Sequence, residues 1–301
     1  MIGIVVGDLL LKNNLNLDNM KLIPIRDKNL KLDGGAMFGV VPKVIWRKVY
    51  PADENNLCNW AMRCLLVDTG DRKVLIDNGV GDKQDEKFFK HYYLNGDFSI
   101  EKELQKNGYS FEDITDVVLT HLHFDHCGGS VYYDENRELK LTYPNADYWI
   151  SEKQWNWAVN PNRREKASFL KENILPIQDY GKLQLVKEDE KELFPGFVVK
   201  QYHGHTDGQL IPHIQYKGKT IAYMGSFLPS TAHIPMPWVM SYDTRPLLTL
   251  EDKKRFFKEA IEEDYILFFE HDLYYEACTL KETEKGIRLD KTFTLQEYFN
   301  E

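Results

Sequence analysis

The amino-acid sequence predicts an α/β protein in which two β-sheets face each other and helices cover their outer sides. Segments typical of strands occur in two groups along the chain, and helical segments follow each group. No linker rich in proline, glycine or serine separates the groups. Hydrophobic residues make up 43% of the 301 residues, which is enough to bury a sizeable core. A layered sandwich is the arrangement that buries both groups of strands.

The predicted domain covers most of the chain. We expect residues 1–19 to form a loose extension, because Asp8 interrupts their apolar start and no basic residue precedes it. Residues 20–301 are then one domain. A helical insertion is predicted around residues 151–180, with one helix capped by Ser151 and a second amphipathic helix near residues 164–172.

The first half of the domain contains a hairpin, a helix and a short buried strand. Residues 63–68 and 73–78 have strand-like composition and flank a turn that contains Gly70. Residues 99–107 predict a helix that begins at a serine and stops before a glycine. The apolar run VVLT at 117–120 predicts a strand that leads directly into the segment HLHFDHCGG.

The second half repeats this order of strands and helix. Strands are predicted at 197–203, 210–216 and 219–225, with a Lys-Gly turn between the last two. Residues 250–264 carry apolar side chains on one helical face, and an apolar strand follows at 265–270.

Charge and cysteine content exclude several classes of partner. The net charge is −9, from 38 basic and 47 acidic residues, which disfavours nucleic acid and an anionic membrane surface. The apolar runs are far shorter than the roughly 18 residues of a membrane-spanning helix. Four cysteines without a C-x-x-C pair suit a reducing compartment, so we expect a cytoplasmic protein with a small-molecule substrate. The sequence leaves the oligomeric state open, and a homodimer is one state that it allows.

The segment HLHFDH predicts a metal centre. His121 and His123 are two residues apart, so in an extended chain both side chains point the same way and can reach one ion. Asp125 and His126 follow, and the glycines after them allow a sharp turn toward a second ion. Imidazole and carboxylate groups are suitable ligands for zinc and similar divalent metals.

Further ligands must come from other segments, because HLHFDH gives each ion only two ligands. His205 lies in HGHTDG after a predicted strand, and His271 follows the apolar strand in FFEHD. Cys127 adjoins the motif, but a neighbour of a ligand is expected to pack inward rather than to bind metal or act as a nucleophile.

These motifs resemble those of the metallo-β-lactamase superfamily over roughly residues 20–275. H-x-H-x-D-H matches the first motif, G-H-T matches residues 204–206, and a terminal histidine matches His271. The resemblance implies an αββα sandwich with two metal sites at one edge. It implies His121, His123 and His205 at the first site. It implies Asp125, His126 and His271 at the second, with Asp77 and Thr206 supporting the ligands from behind.

One position departs from the family pattern. Most hydrolases of the superfamily carry a bridging aspartate at a strand end between the last two histidine motifs, and Ser226 occupies that position here. A neutral hydroxyl is a poor ligand and is better suited to hydrogen-bond a metal-bound water. One subclass of metallo-β-lactamases looks similar here, so the serine does not by itself imply inactivity.

The resemblance implies hydrolysis by a metal-bound hydroxide, with one or two Zn²⁺ per chain and Mn²⁺ or Fe²⁺ as alternatives. Asp125 would orient the nucleophile, and Ser226 is the other candidate catalytic residue. The chain resembles the lactonase-like and organophosphate-hydrolase-like branches, so an ester, lactone or phosphotriester in a small, mostly uncharged substrate is expected. A metal-binding protein with little turnover, serving as a sensor or scaffold, and a β-lactam hydrolase remain as alternatives.

Six residues are candidates for the substrate pocket. They come from the early loop of the domain, from the helical insertion and from the segment after the serine, and ordinary core packing is the alternative for each. The candidates are Met37, Phe38, Val40, Trp155, Trp157 and His233.

Overall fold

The computed structural model describes residues 20–300 and confirms the predicted class of two facing sheets with helices outside. The expected extension at residues 1–19 lies outside the described residues. None of the helices within residues 20–300 contains an apolar stretch that could span a lipid bilayer.

The first sheet has six strands and contains the predicted hairpin. In spatial order they are β1 (Lys21–Arg26), β4 (Arg63–Asp68), β5 (Lys73–Ile76), β6 (Asp116–Val118), β9 (Asp147–Ser151) and β10 (Leu183–Val186). Strand β4 pairs antiparallel with β1 and β5, whereas β5, β6, β9 and β10 run parallel. The carboxyl ends of β5 and β6 therefore lie at one edge, where the chain continues into Asp77 and the histidine motif.

The second sheet has seven strands. In spatial order they are β11 (Glu190–Phe194), β12 (Phe197–Tyr202), β13 (Gln209–Tyr216), β14 (Lys219–Tyr223), β15 (Ile266–Phe268), β16 (Ala277–Thr283) and β17 (Gly286–Phe293). Strands β12 and β14 both pair antiparallel with β13, and β15 pairs parallel with β14. Because β12, β14 and β15 run in the same direction, their carboxyl ends share one edge and deliver His205, Ser226 and His271 there.

Alternating side chains divide the core into layers. On β4, Leu65 and Val67 belong to the cluster between the sheets, which also contains Ile214 and Phe268 of the second sheet. Leu66, one residue along, packs in the cluster on the outer side of the first sheet. A strand buried on both faces in this way is typical of a sheet covered by helices.

Helices form the two outer layers. The helices α4 (Ile100–Lys106), α6 (Glu152–Val159) and α7 (Lys171–Asp179) contribute to the cluster outside the first sheet, and α8 (Pro246–Glu262) packs outside the second. Ser99 caps α4, and Ser151 caps α6 by accepting a hydrogen bond from Gln154 N.

The second insertion helix was placed wrongly from the sequence. The chain forms turns over residues 163–168, and α7 begins only at Lys171. The side chain of Asn162 accepts hydrogen bonds from the backbone N–H groups of Arg164 and Glu165, which holds a turn in place of a helix.

The remaining strands and α-helices are four strands and five short helices. They are β2 (Leu30–Asp33), β3 (Leu57–Trp60), β7 (Val131–Tyr133), β8 (Leu139–Leu141), α1 (Gly34–Phe38), α2 (Lys43–Trp46), α3 (Glu86–Phe89), α5 (Phe124–Cys127) and α9 (Leu295–Phe299). The four strands form two separate two-stranded sheets, β2 with β3 and β7 with β8.

Candidate metal centre

The first group of candidate ligands consists of three buried histidines. His121 and His123 follow β6, and His205 follows β12. His121 Nε2 lies 3.0 Å from His123 Nδ1, and His205 Nε2 lies 3.3 Å from the same atom. The structure therefore brings the sequence-predicted residues of the first site together, with three nitrogen atoms converging on one point.

The second group lies beside the first and contains Asp125, His126 and His271. His126 Nε2 is 3.2 Å from His271 Nε2 and 3.5 Å from Asp125 Oδ2. The ring centroids of His121 and His126 are 3.9 Å apart, so the two groups are adjacent. Within this second group, Asp125 and His126 lie on α5, whereas His271 follows the end of β15 in the second sheet.

Glycines after the motif allow this segment to approach its neighbours. A Cβ atom on Gly128 would lie 2.1 Å from the carbonyl oxygen of Val80, and one on Gly129 would lie 2.0 Å from that of Asn78. Only glycine fits at such distances, so these two positions let α5 turn back against the end of β5.

An oxygen atom faces the outer nitrogen of each candidate imidazole. Glu165 accepts from His123 Nε2 at 3.2 Å, Asp243 accepts from His205 Nδ1 at 2.9 Å, and the carbonyl of Ala61 accepts from His271 Nδ1 at 2.9 Å. Each contact holds the ring proton outside, so the remaining nitrogen presents its lone pair to the centre.

Asp77 contacts one candidate ligand directly and a second through the hydroxyl of Thr120. Its Oδ2 lies 3.0 Å from His126 Nδ1 and accepts a hydrogen bond from the Thr120 hydroxyl at 2.7 Å. That hydroxyl in turn faces His121 Nδ1 at 3.0 Å. Thr206 contacts no ligand ring directly: its hydroxyl lies 3.3 Å from Gln154 Oε1, to which it can donate, and it also interacts with Glu165, the carboxylate behind His123.

The electrostatic environment favours the neutral imidazole form at three candidate ligands, two of the first group and one of the second. Burial and the neighbouring rings hold the pKa of His121 well below its ordinary value, and burial also lowers the pKa of His123. Burial, followed by the influence of His126, lowers the pKa of His271 to about 4. Neutral rings are the form that binds metal, so these three side chains are prepared for a cation at neutral pH.

His126 lies in a field of the opposite kind. Burial acts to lower its pKa, but the carboxylates of Glu270 and Asp125 together raise it well above the ordinary value. Burial acts to raise the pKa of Asp125, but His126 and His271 hold the pKa of that carboxyl below its ordinary value. Positive charge is therefore stabilised around His126, and a divalent cation would benefit from the same field.

Ser226 lies at the second group. Its Oγ is 3.0 Å from His126 Nε2 and 3.3 Å from His271 Nε2. The preceding Gly225 has a φ of +47°, a conformation that directs the chain end of β14 toward the two rings. The position predicted for a bridging ligand thus holds a neutral hydroxyl in contact with two candidate ligands.

A cavity of about 390 Å³ opens above the two groups. His123, Asp125, His205, Ser226 and His271 reach it from below. Its apolar wall consists of Leu32, Met37, Trp60, Phe124 and Met240, with Tyr92, Tyr242, Arg164 and Glu165 as further lining residues.

Of the predicted pocket residues, Met37 lines this cavity and the others do not. Val40 is 91% exposed on the surface, because the chain turns outward at Gly39 after α1. Phe38 is fully buried and stacks on Trp46, and Trp155 packs in the core outside the first sheet. These three assignments to the pocket are corrected to surface and core.

His233 and Trp157 also lie away from the cavity lining. Both ring nitrogens of His233 are engaged, one by the Met37 carbonyl at 2.8 Å and one by Ser230 Oγ at 2.8 Å. The indole of Trp157 donates to Glu165 Oε2 at 2.6 Å and so supports the cavity wall from behind. Cys127 packs inward as expected, with its thiol 3.4 Å from the Leu122 carbonyl.

Sequence reasoning did not identify Glu165, Asp243, Thr120 or Glu270 as parts of the site. Glu165 and Asp243 lie in irregular segments whose pattern gives no signal. Thr120 and Glu270 directly precede ligand histidines at strand ends, and that adjacency is the signal that could have found them.

The donor set fits divalent metals. Five imidazole nitrogens and one carboxylate converge in two adjacent groups, and the outer proton of each ring is accepted by an oxygen atom. Three histidines per ion, or two histidines and a carboxylate, are ordinary ligand sets for zinc. The chain therefore carries a candidate two-ion centre at the floor of the cavity.

Comparisons with known proteins agree with this geometry. An N-acyl homoserine lactonase from Bacillus cereus is 25% identical over 249 residues, covering 78% of this chain and 87% of that enzyme. The crystal structure of a probable metal-dependent hydrolase from Staphylococcus aureus superposes with a TM-score of 0.82 at 31% identity, covering 91% of this chain and 96% of that one.

A further solved structure shares the fold. The dizinc quorum-quenching lactonase AidC, in complex with a product, superposes with a TM-score of 0.73 at 24% identity, covering 92% of this chain and 96% of that one. The family model for the metallo-beta-lactamase superfamily matches residues 63–269, which include five of the six candidate ligands, and His271 lies two residues beyond the match. This chain therefore belongs to the metallo-beta-lactamase superfamily.

Proposed function

We propose that the protein is a metal-dependent hydrolase that opens a lactone or cleaves an ester in a small, mostly uncharged substrate. The observation that carries the proposal is the position of the two ligand groups, side by side at the floor of a cavity with an apolar wall. The similarity to N-acyl homoserine lactonases supports a lactone as the first substrate to test.

Divalent metal bound at such a centre lowers the pKa of water toward about 7 and polarises the scissile carbonyl. The residues of the chain supply the rest. Asp125 reaches the cavity floor as a carboxylate, so it can accept a hydrogen bond from an attacking water and orient it. The apolar wall excludes bulk water and favours a substrate without net charge.

Two tyrosines complete the polar part of the cavity. Tyr92 and Tyr242 line it, and burial raises the pKa of both phenols, that of Tyr242 to about 12. Both are therefore neutral at pH 7 and can donate a hydrogen bond to a substrate oxygen on which negative charge develops.

A substrate panel tests the proposed function. Zinc- or manganese-loaded protein is assayed with N-acyl homoserine lactones, simple lactones, aryl esters, a phosphotriester and a chromogenic β-lactam. We expect turnover of lactones or esters, and a loss of at least about 100-fold in His121→Asn, because the first ligand group is then incomplete. Absence of turnover on the whole panel, with two metals bound per chain, would refute the proposal. Turnover of the β-lactam or the phosphotriester alone would reassign the substrate class.

A second candidate function is a metal-binding protein with little turnover. The observation that favours it is Ser226, a neutral group in contact with His126 and His271. We expect the second ion to be held less tightly in the wild type than in Ser226→Asp, because a carboxylate adds a negative ligand at this position. Turnover in Ser226→Asp but not in the wild type would support this second function over the first.

A further inference from the structure

Lys253 is a buried lysine of α8 whose amine is surrounded by main-chain carbonyl oxygens. The residue is 1% exposed, and none of the carboxylates within residues 20–300 pairs with its amine. Four carbonyl oxygens lie within hydrogen-bond distance of Nζ, those of His233 at 2.7 Å, Pro235 at 2.9 Å, and Met236 and Trp238 at 3.2 Å each. A side chain that is usually exposed is therefore used here to bind one stretch of backbone.

The amine acts as a hydrogen-bond donor. Burial lowers the pKa of Lys253 to about 7, and the charge of Asp243 acts in the opposite direction. The ammonium and the neutral amine both carry N–H groups, so donation to a carbonyl does not depend on the protonation state. The stretch that it contacts has few donors of its own, because residues 234–240 form no helix or strand and Pro235 and Pro237 have no backbone N–H. Lys253 supplies donors that these carbonyls would otherwise lack.

The carbonyls that Lys253 holds belong to a segment that reaches the cavity above the metal groups. We call residues 233–242 the wall segment. Its last three residues, Met240, Ser241 and Tyr242, line the cavity. Lys253 contacts the earlier part of the segment and does not line the cavity itself. Any influence of Lys253 on a substrate is therefore exerted through the wall segment.

The wall segment also holds helix α1, which supplies another part of the cavity wall. Ser241 N donates to the Ala36 carbonyl at 2.8 Å, and His233 Nε2 lies 2.8 Å from the Met37 carbonyl. The ring of His233 stacks on Phe38, with centroids 4.8 Å apart. Met37, which lines the cavity, is therefore held in place by the same segment.

We propose that Lys253 is a positioning residue for the apolar part of the substrate, because its hydrogen bonds to the wall segment keep Met37, Met240 and Tyr242 in the cavity wall. This inference rests on the proposed function, in which the wall contacts the substrate. A wall that is fixed before binding avoids the entropy cost of ordering its side chains when the substrate enters. The effect grows with the length of the apolar chain and does not extend to the reacting atoms at the metal centre.

Kinetics with a short and a long substrate test the inference. Zinc-loaded protein is assayed with butanoyl and octanoyl homoserine lactone. We expect Lys253→Met, which keeps the length of the side chain and loses its donors, to raise KM for the octanoyl substrate by about 10-fold, with kcat and the butanoyl KM changed by less than about 2-fold. Lys253→Gln keeps N–H donors on a shorter side chain and is expected to lie between the two. Lys254→Met is the matched control, because Lys254 is exposed on the same helix.

Two further measurements do not need turnover. In Lys253→Met, hydrogen–deuterium exchange is expected to be faster at residues 233–242 and 34–38, and unchanged at the strands that carry the candidate ligands. Calorimetry with octanamide, an uncharged probe with the same chain, is expected to show binding weaker by about the same factor of 10. The zinc content of the variant is expected to equal that of the wild type.

Equal effects on the KM values of the two substrates, or wild-type exchange rates in the wall segment, overturn the inference. Loss of zinc from Lys253→Met also overturns it, and so does failure of both Lys253→Met and Lys253→Gln to fold, because the lysine would then stabilise the whole fold. Absence of turnover in the wild type, with octanamide bound less tightly by Lys253→Met, refutes the proposed function and supports this role of Lys253. Turnover with unchanged KM and octanamide affinity does the reverse.

Discussion

Glu165 fixes the ring of His123 from the side opposite the metal centre. Its Oε1 accepts the ring N–H at 3.2 Å, while Trp157 and Asn162 donate to its other oxygen at 2.6 Å each. Burial acts to raise the pKa of Glu165, but the hydrogen bond from His123 and further donors lower it to about 2. The carboxylate is therefore charged at neutral pH, and it holds the Nδ1 lone pair toward the first ligand group.

Glu165→Gln is expected to weaken metal binding at the first group by about 10- to 100-fold. If the amide oxygen accepts from His123, the amide NH2 group faces the two donors Trp157 and Asn162, so the loss combines the missing charge with these two missing hydrogen bonds. Competition with a chromophoric chelator gives the affinity, and Glu135→Gln at an exposed position is the control. An affinity equal to that of the wild type would show that this carboxylate has no influence on the metal.

At the scale of single residues, the sequence identifies site residues that lie close together in a motif. It misses residues that are distant in sequence and meet only in the folded chain. His121, His123, Asp125 and His126 are close in sequence, so their pattern is visible. Asp243 contacts His205 from 38 residues away, in a segment without periodicity. The sequence alone does not reveal this contact, because the position of Asp243 depends on how α8 packs against the end of β12.

At the scale of elements, the ligands are set by the ends of strands and by the close approach of α8 to the end of β12. Gly204 lies at that approach, where an added Cβ would come within 2.5 Å of the backbone nitrogen of Thr249 in the first turn of the helix. Thr249 donates to Asp243, the acceptor of the His205 ring, at 2.7 Å. The orientation of the His205 ring therefore depends on how α8 packs.

Gly204→Ala is expected to destabilise the protein by about 1–3 kcal/mol, because backbone atoms of α8 must move to accept the methyl group. It should also weaken metal binding at the first ligand group, since Asp243 shifts with the helix. Chemical denaturation and Zn²⁺ titration measure the two effects. Gly108→Ala is the control: its φ of +84° is strained for alanine, but the added Cβ meets no atom within 4 Å. A stable Gly204→Ala with normal metal affinity would contradict the proposed connection.

The elements predicted best are those whose pattern is local. The hairpin of β4 and β5, the helix capped by Ser99 and the long helix α8 all have clear apolar periodicity or caps. The hairpin of β16 and β17 was not predicted, because its strands are largely half-exposed or exposed and lack strict alternation. It is defined instead by pairing with β15 at the edge of the second sheet.

At the scale of the whole molecule, the four-layer fold buries histidines that take no part in the metal centre. His213 lies on β13 at 3% exposure, between the sheet and α8, near the rings of Phe256 and Tyr265. Its Nδ1 donates to the Ile211 carbonyl at 2.9 Å. Burial, and then the charge of Lys200, lower its pKa to about 4, with Glu259 acting in the opposite direction.

This burial predicts that stability falls in acid. An unfolded histidine takes up a proton near pH 6.5, whereas His213 in the folded chain does so only near pH 4, so the unfolded state binds more protons between these values. The contribution of His213 is complete above about pH 6.5 and decreases by roughly 3 kcal/mol as the pH falls toward 4. In His213→Gln this part of the pH dependence should disappear. Chemical denaturation of the metal-free wild type and variant between pH 7 and 4 measures it, and the two free energies of unfolding should converge as the pH falls. Exposed His91→Gln is the control for losing a histidine, and parallel curves for His213→Gln would contradict a neutral buried ring.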